Sequence, residues 1–199
     1  AFLPPNWSVS IDNTTTTSIR FSWQNLQTLV GQRISYYPVV VKNSYGNIVN
    51  GYIVPGNTTS HVFSGLTAYR EYRLSVVGVN YSGNAYNSRE ITAWTDEGVP
   101  STAPSNIRLS NLEETEVKVQ WNPLSQHHAR GRLLGYRVYH REYRTSRYYY
   151  YYYYDPYLGK SVNTSSAEVT MVILTDLKEA RAYQIAVAAF TSKGEGPRS

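Results

Sequence analysis

A chain of 199 residues with a formal charge of +5 has room for two units of about 100 residues, each large enough to bury a core. Only 17% of the residues are charged and Lys and Arg form no block, which leaves no nucleic acid among the expected partners. The absence of cysteine excludes disulfides, thiolate zinc sites and cysteine nucleophiles, and no run approaches the ~18 consecutive apolar residues of a membrane helix.

The chain opens AFLPP, with neither a methionine nor a charged-then-apolar leader, as expected of a mature product or an excised segment. TTTT, Thr14 to Thr17, reads as a β-rich turn. SIRFSW, Ser18 to Trp23, alternates apolar and polar residues as a half-buried strand does. YYPVVV, Tyr36 to Val41, is a strand of central character interrupted by Pro38; a missing N–H there predicts a bulge or a shifted pairing. YRLSVVGV and then REITAWT, Arg89 to Thr95, continue the strand pattern. Periodicity stops at TDEGVPSTAP, where Pro, Gly and Ser collect, and residues 97–103 read as a short, semi-rigid linker. It would separate a domain at 1–96 from one at 104–199. In the second, EETE is a solvated turn, QHHARG a loop, and GYRVYH and YQIAVAAF are strands. Between those two strands lies an unbroken tyrosine run, Tyr148 to Tyr154, with Tyr157 beyond it.

Self-comparison reveals a repeat. TTTTSIRFSWQNL aligns with ETEVKVQWNPL, placing Trp23 on Trp121. SGLTAYREYRLSVVGVNYSG aligns with TDLKEARAYQIAVAAFTSKG, placing Leu66 on Leu177 and Tyr72 on Tyr183. The second copy carries extra chain between its tryptophan and its tyrosine, and the tyrosine run lies in it. The first copy continues past GNAYNS into REITAWT, whereas the second stops at GPRS, so its last strand is expected to be missing, either by truncation or because a neighbouring molecule supplies it.

Each copy has a proline-led first strand, a tryptophan in the second, a Y-x-V third strand, then Leu-x5-Tyr and a closing V-x-A/G-x-N/F-x-x-G. This pattern resembles the fibronectin type III module over essentially the whole chain. WNPLSQHHARGRLLGYRVYHREY is further similar to modules of cell-adhesion molecules and receptor tyrosine phosphatase ectodomains. The resemblance implies an all-β fold: two fibronectin type III (immunoglobulin-like) β-sandwiches in tandem. It assigns Trp23, Leu66, Tyr72, Trp121, Leu177 and Tyr183 to the cores, with Tyr72 and Tyr183 as tyrosine corners.

No nucleophile, phosphate or zinc motif is present, which excludes the enzyme classes those motifs serve, and no cofactor is implied. Adjacent His127 and His128 lack ligand partners, and His140, in phase with Tyr136 and Val138, is expected to tip into the edge of the sandwich. N-x-S/T sequons at Asn6, Asn13, Asn57, Asn80 and Asn163 suggest a secreted or cell-surface chain bearing N-linked glycans. On the family pattern, Asn13, Asn57, Asn80 and Asn163 fall in or beside loops.

An edge strand cannot bury both faces of Tyr148, Tyr149, Tyr150, Tyr151, Tyr152, Tyr153 and Tyr154. In the preceding strand Arg137, Tyr139, Arg141 and Tyr143 alternate with inward residues, and arginine beside tyrosine can form cation–π contacts of about 0.5–1 kcal/mol. These residues are expected either to cover their own sheet or to contact a protein partner, a second copy included. The function expected is a non-catalytic adhesion or receptor segment serving as spacer and protein-binding module. The alternatives are a structural subunit of an extracellular fibre and an accessory module of a secreted carbohydrate-active enzyme.

Overall fold

The computed structural model describes residues 7–142 and 159–199. The chain divides into two compact units, Ala1–Asp96 and Glu97–Ser199.

The first unit contains β1 (Val9–Thr14), β2 (Ser18–Trp23), a helical turn α1 (Leu26–Val30), β3 (Ile34–Asn43), β4 (Ile48–Pro55), β5 (Ser60–Ser64), β6 (Glu71–Asn80), β7 (Ala85–Asn87) and β8 (Ile91–Trp94). All pairings are antiparallel. One sheet runs β1-β2-β5 and the other β4-β3-β6, with β7 and β8 both on the far edge of β6. Alternation makes the core: Ile19, Phe21 and Trp23 of β2 face Tyr37, Val39 and Val41 of β3 and Tyr72, Leu74 and Val76 of β6. Each such side chain removed from water stabilises the unit by roughly 1.5–3 kcal/mol. Phe21 stacks on Phe63 at 5.7 Å, and Trp23 meets Tyr37 at 5.4 Å with the rings inclined by 59°.

Ile34 and Tyr37 both point inward, which a regular strand forbids for residues three apart. The register with β6 shifts between Ile34 and Tyr36 and absorbs the extra residue. The shift expected at Pro38 therefore lies upstream of it. Pairing with β4 runs unbroken through Pro38, while pairing with β6 lacks partners for Tyr37 and Pro38, so the missing N–H faces β6.

In α1, the Asn25 side chain accepts from Gln27 N–H at 3.0 Å, and Gly31, at φ 67°, donates its N–H to Gln27 O. The turn presses Leu26 onto Gly78, where a Cβ would lie 2.3 Å from Leu26 Cδ2. Leu26 N–H donates to the Tyr37 hydroxyl at 3.3 Å.

The second unit repeats this plan with β9 (Ser105–Glu113), β10 (Glu116–Asn122), α2 (Gln126–Ala129), β11 (Gly135–Glu142), β12 (Lys160–Asn163), β13 (Met171–Leu174), β14 (Tyr183–Thr191) and β15 (Gly194–Arg198). Its sheets are β13-β10-β9 and β12-β11-β14-β15. The QHHARG segment, expected as a loop, holds the single turn of α2. Trp121 meets Tyr136 at 5.3 Å and 60°, and Leu124 N–H donates to the Tyr136 hydroxyl at 2.9 Å, the same device as in the first unit. Burial raises the pKa of both hydroxyls above the ordinary phenol value.

Trp23, Leu66, Tyr72, Trp121 and Leu177 are buried and Tyr183 is half-buried. Tyr72 OH accepts from Thr67 N–H and Tyr183 OH from Lys178 N–H, each at 2.9 Å. At the end of the first unit the buried Thr95 hydroxyl donates to Thr67 O at 2.6 Å and accepts from Arg70 N–H at 3.0 Å. Asp96 N–H donates to Thr15 O, and its carboxylate accepts from the Thr14 hydroxyl at 2.6 Å.

The stretch 97–103 does not run as a free linker at its start. Glu97 accepts from the Ser192 hydroxyl and from Arg132 N–H at 2.6 Å, bonds that hold its carboxyl below the usual carboxylate range. Gly98 exchanges bonds with Arg130 O and the Thr191 hydroxyl, and Ser101 N–H donates to His128 O. Pro100 has no N–H to give, while Gly98 and Ser101 both donate theirs within the second unit.

Ser199 N–H donates to Val187 O while its hydroxyl accepts from Val187 N–H. Ser88 does the same with Val76. β15 is thus the counterpart of β7, and the second unit holds the first half of the last strand. Among the described residues, Tyr183 to Ile185 have no strand partner on the edge that β8 covers in the first unit.

Candidate functional site

β11 points Tyr136 and Val138 into the core and Arg137, Tyr139 and Arg141 onto the outer face of its sheet. Small residues lie beneath them: Arg137 is opposite Ala188 and Tyr139 opposite Ala186. The outer side chains form one bonded surface. Arg137 Nη1 donates to Glu195 Oε2 at 3.0 Å, its Nε donates to Asn163 Oδ1 at 2.8 Å, and the Tyr139 hydroxyl donates to the same Glu195 oxygen. Arg198 bonds Glu195 Oε1 at 3.0 Å and holds its guanidinium 3.5 Å from the centre of the Tyr139 ring. Arg141 Nε donates to Gln184 Oε1 at 2.7 Å. A cleft of about 440 Å³ borders this ladder, lined by Tyr139, Arg141, Gln184, Ile185 and Arg198 along the open edge of β14.

Glu195 and Arg198 complete the network, and the repeat pattern, which ends at GPRS, marks neither of them. Strand alternation across β14 and β15 is the signal that places them on the face of Arg137 and Tyr139. Tyr143 and the run Tyr148 to Tyr154 lie outside the described residues.

Asn6 also lies outside the described residues. Asn13 on β1, Asn57 in the turn after β4, and Asn163 on β12 are exposed. Asn80 differs from these three in its surroundings. It is 4% exposed, its Nδ2 donates to Gln32 Oε1, and its Oδ1 accepts from Ser82 and Asn84 N–H at 3.0 and 2.8 Å. A glycan on that nitrogen would displace the Gln32 bond, and the Oδ1 bonds build the turn between β6 and β7.

The surface offers charge-assisted hydrogen bonds and ring faces, and the histidines add no reactive pair. Ser101 Oγ is 3.4 Å from His128 Nδ1 but donates to His128 O, and among the described residues no third group orients that imidazole. Among the described residues no cluster of three His, Asp or Glu could hold a metal.

His61 Nε2 and His140 Nδ1 are buried without a partner. Burial lowers the pKa of His61, and burial followed by the charge of Lys160 lowers that of His140. The unfolded chain therefore binds these protons first. Stability from the neutral rings is complete above the ordinary imidazole value and is lost as pH falls below it. Urea midpoints should drop between about pH 7.5 and about pH 5, and His61→Phe should flatten that drop for the first unit. An unchanged slope would remove His61 as its source.

The family model of the fibronectin type III domain matches residues 3–94 and again 102–199. The chain is 38% identical over all 199 residues to the MAM and fibronectin type III domain-containing protein 1 of Acropora millepora, of which it spans 45%. It is 28% identical over 196 residues to receptor-type tyrosine-protein phosphatase F of Danio rerio, spanning 9% of that protein. Over 147 residues, 74% of the chain, it is 27% identical to the neuronal cell adhesion molecule of Gallus gallus, spanning 11% of it. The chain thus covers less than half the length of each of these relatives. The crystal structure of chicken CNTN1 FN1-FN3 domains superposes on 96% of the chain and 62% of that structure with a TM-score of 0.61 at 22% identity, a likeness of fold.

Proposed function

The chain belongs to the fibronectin type III family, with two copies of the domain in tandem, and on that premise we propose that it is an extracellular, non-catalytic adhesion or receptor segment acting as spacer and protein-binding module. The observation that carries this reading is the match of the tandem pair to relatives whose names include cell adhesion molecule and receptor-type phosphatase. The Arg137–Tyr139–Arg141 face and the tyrosine run Tyr148 to Tyr154 are its protein-contact surface, and Asn13, Asn57 and Asn163 carry N-linked glycans. The bonded ladder supports this role: its rings and guanidinium groups are already held in place, which reduces the entropy lost when a partner docks.

One preparation tests the reading. The chain secreted from animal cells should carry glycans at Asn13, Asn57 and Asn163 and none at Asn80, read by glycopeptide mass spectrometry. Beads coated with it should clump, and beads coated with a variant carrying Ser at positions 148, 150, 152 and 154 should not. Equal clumping by both places the contact elsewhere. Absence of clumping in both removes the tyrosine contact and leaves the spacer role.

A further inference from the structure

Edge strands expose unpaired backbone groups, and soluble proteins protect them with charges, bulges, breaks or short length. In the first unit, β1 has a bulge at Asp12, and the last strand is split at Ser88 with Arg89 and Glu90 beside the break. β5 spans only five residues. In the second unit β12, the counterpart of β4, has four residues and carries Lys160. β4 has little of this protection. It is eight residues long, and from Asn43 to Tyr69 the chain contains no Asp, Glu, Lys or Arg. Its irregularities lie at its two ends: the register shift between Val41 and Lys42 of β3, and Pro55, which has no N–H and whose carbonyl accepts from Thr58 N–H.

Its side chains are apolar and open to solvent: Ile53 is 73% exposed, Ile48 69%, and Tyr52 and Val49 about half. The backbone is available in part. Ile53 lies opposite Pro38, whose missing N–H faces β6, so that pair is a non-bonded one in the β3–β4 ladder. By alternation, Ile53 and Gly51 direct their N–H and C=O groups away from β3. Gly51 N–H is capped by its neighbour, the Asn50 side chain, at 2.8 Å. On the inner side Tyr52 packs on His61 and Phe63 of β5, in the facing sheet.

We propose that β4 is a homotypic docking edge, at which two copies of this chain join β4 to β4, antiparallel, into one continuous sheet. A second copy is the occupant that an uncharged strand fits: no like charges are opposed when it meets itself, and a charged partner finds no complement. A two-fold pairing sets the Gly51–Ile53 stretch of each copy against that of the other. It covers both open edges at once and closes the assembly at a dimer. Tyr52 then stands at the centre, and the glycine beside it leaves room for close backbone approach. This edge is separate from the tyrosine surface proposed above and goes beyond it.

Sedimentation velocity of the 199-residue chain over a concentration range tests the pairing. The wild type should show a reversible dimer. Ile53→Lys and Ile53→Glu should each weaken it about tenfold or more, since like charges are then brought together. Because Ile53 is exposed, both variants should keep the wild-type circular dichroism and melting temperature. An equimolar mixture of the two should dimerise again, a rescue that a merely structural effect could not give. Leu109→Lys, the same charge placed on an exposed apolar residue of the second unit, should leave the dimer intact, as should Ser at 148, 150, 152 and 154. A monomeric wild type, a dimer insensitive to charge at position 53, or a mixture that stays monomeric would overturn the proposal. So would a dimer lost only in the tyrosine variant, which would instead support the tyrosine contact.

Discussion

Trp121→Ala will lower the stability of the second unit by about 3–5 kcal/mol and leave the first unit's unfolding transition in place. The indole stands between the two sheets, 5.3 Å from Tyr136, in a core whose fully apolar membership is small: Val119, Val138, Leu174, Leu177, Val187 and Ala189 are its main companions. Neighbours so few cannot collapse into the space it leaves. Domain stabilities of roughly 5–15 kcal/mol make a loss of this size a large fraction of the whole. The first unit has a core of its own around Trp23, so its transition should not move. Trp121→Phe should cost much less than its lost volume suggests, because the Trp121 Nε1–H is buried without an acceptor and phenylalanine removes that unpaired donor. Urea unfolding followed by circular dichroism, with amide NMR to separate the units, reads both effects. Equal losses for Ala and Phe would show that the ring's volume does not hold this core.

Gly56→Ala should be the harshest small substitution in the first unit, costing about 1–3 kcal/mol or more. A Cβ at Gly56 would lie 2.0 Å from Ile34 O, 2.6 Å from Ile34 C and 3.0 Å from Ser35 C. These are backbone atoms at the register shift of β3, and Gly56 N–H is itself bonded to Ser35 O at 3.0 Å. No rotamer change can relieve the clash, so either the turn after β4 or the shift itself must move. Gly51→Ala, five residues earlier, is the control: its nearest contact would be Val39 O at 3.4 Å, and reduced freedom in the unfolded chain should make it neutral or slightly stabilising. Similar melting temperatures for the two variants would contradict this account of the turn.

Much of the fold is legible along the chain because the sandwich encodes itself in period two. Ile19, Phe21 and Trp23 announce the inner face of β2, and the Leu–Tyr spacing announces both corners. What escaped the sequence depends on relations across strands. Pro38 declares a missing N–H but not which neighbour that position faces, and the change of face between Ile34 and Tyr37 is visible only once both are known to be inward. Asn80 shows the sequon tripeptide, but its side chain is committed to the next turn, a bond the tripeptide does not encode. The Glu195–Arg198 half of this outer face is distant in sequence from Arg137 and Tyr139 and meets them only through the ladder. Composition at 97–103 resembles a tether, yet Glu97 and Gly98 take up partners that lie many residues later.

The way the first unit releases its chain has a mechanical meaning. The backbone leaves through Thr95 and Asp96. Thr95 is bonded to the corner loop at Thr67 and Arg70, and Asp96 to Thr14 and Thr15 at the end of β1. Tension applied beyond Asp96 is therefore delivered to both sheets together. It must shear several short hydrogen bonds in parallel before β8 can be peeled from β6 one pair at a time, and parallel loading resists force far better than sequential unzipping.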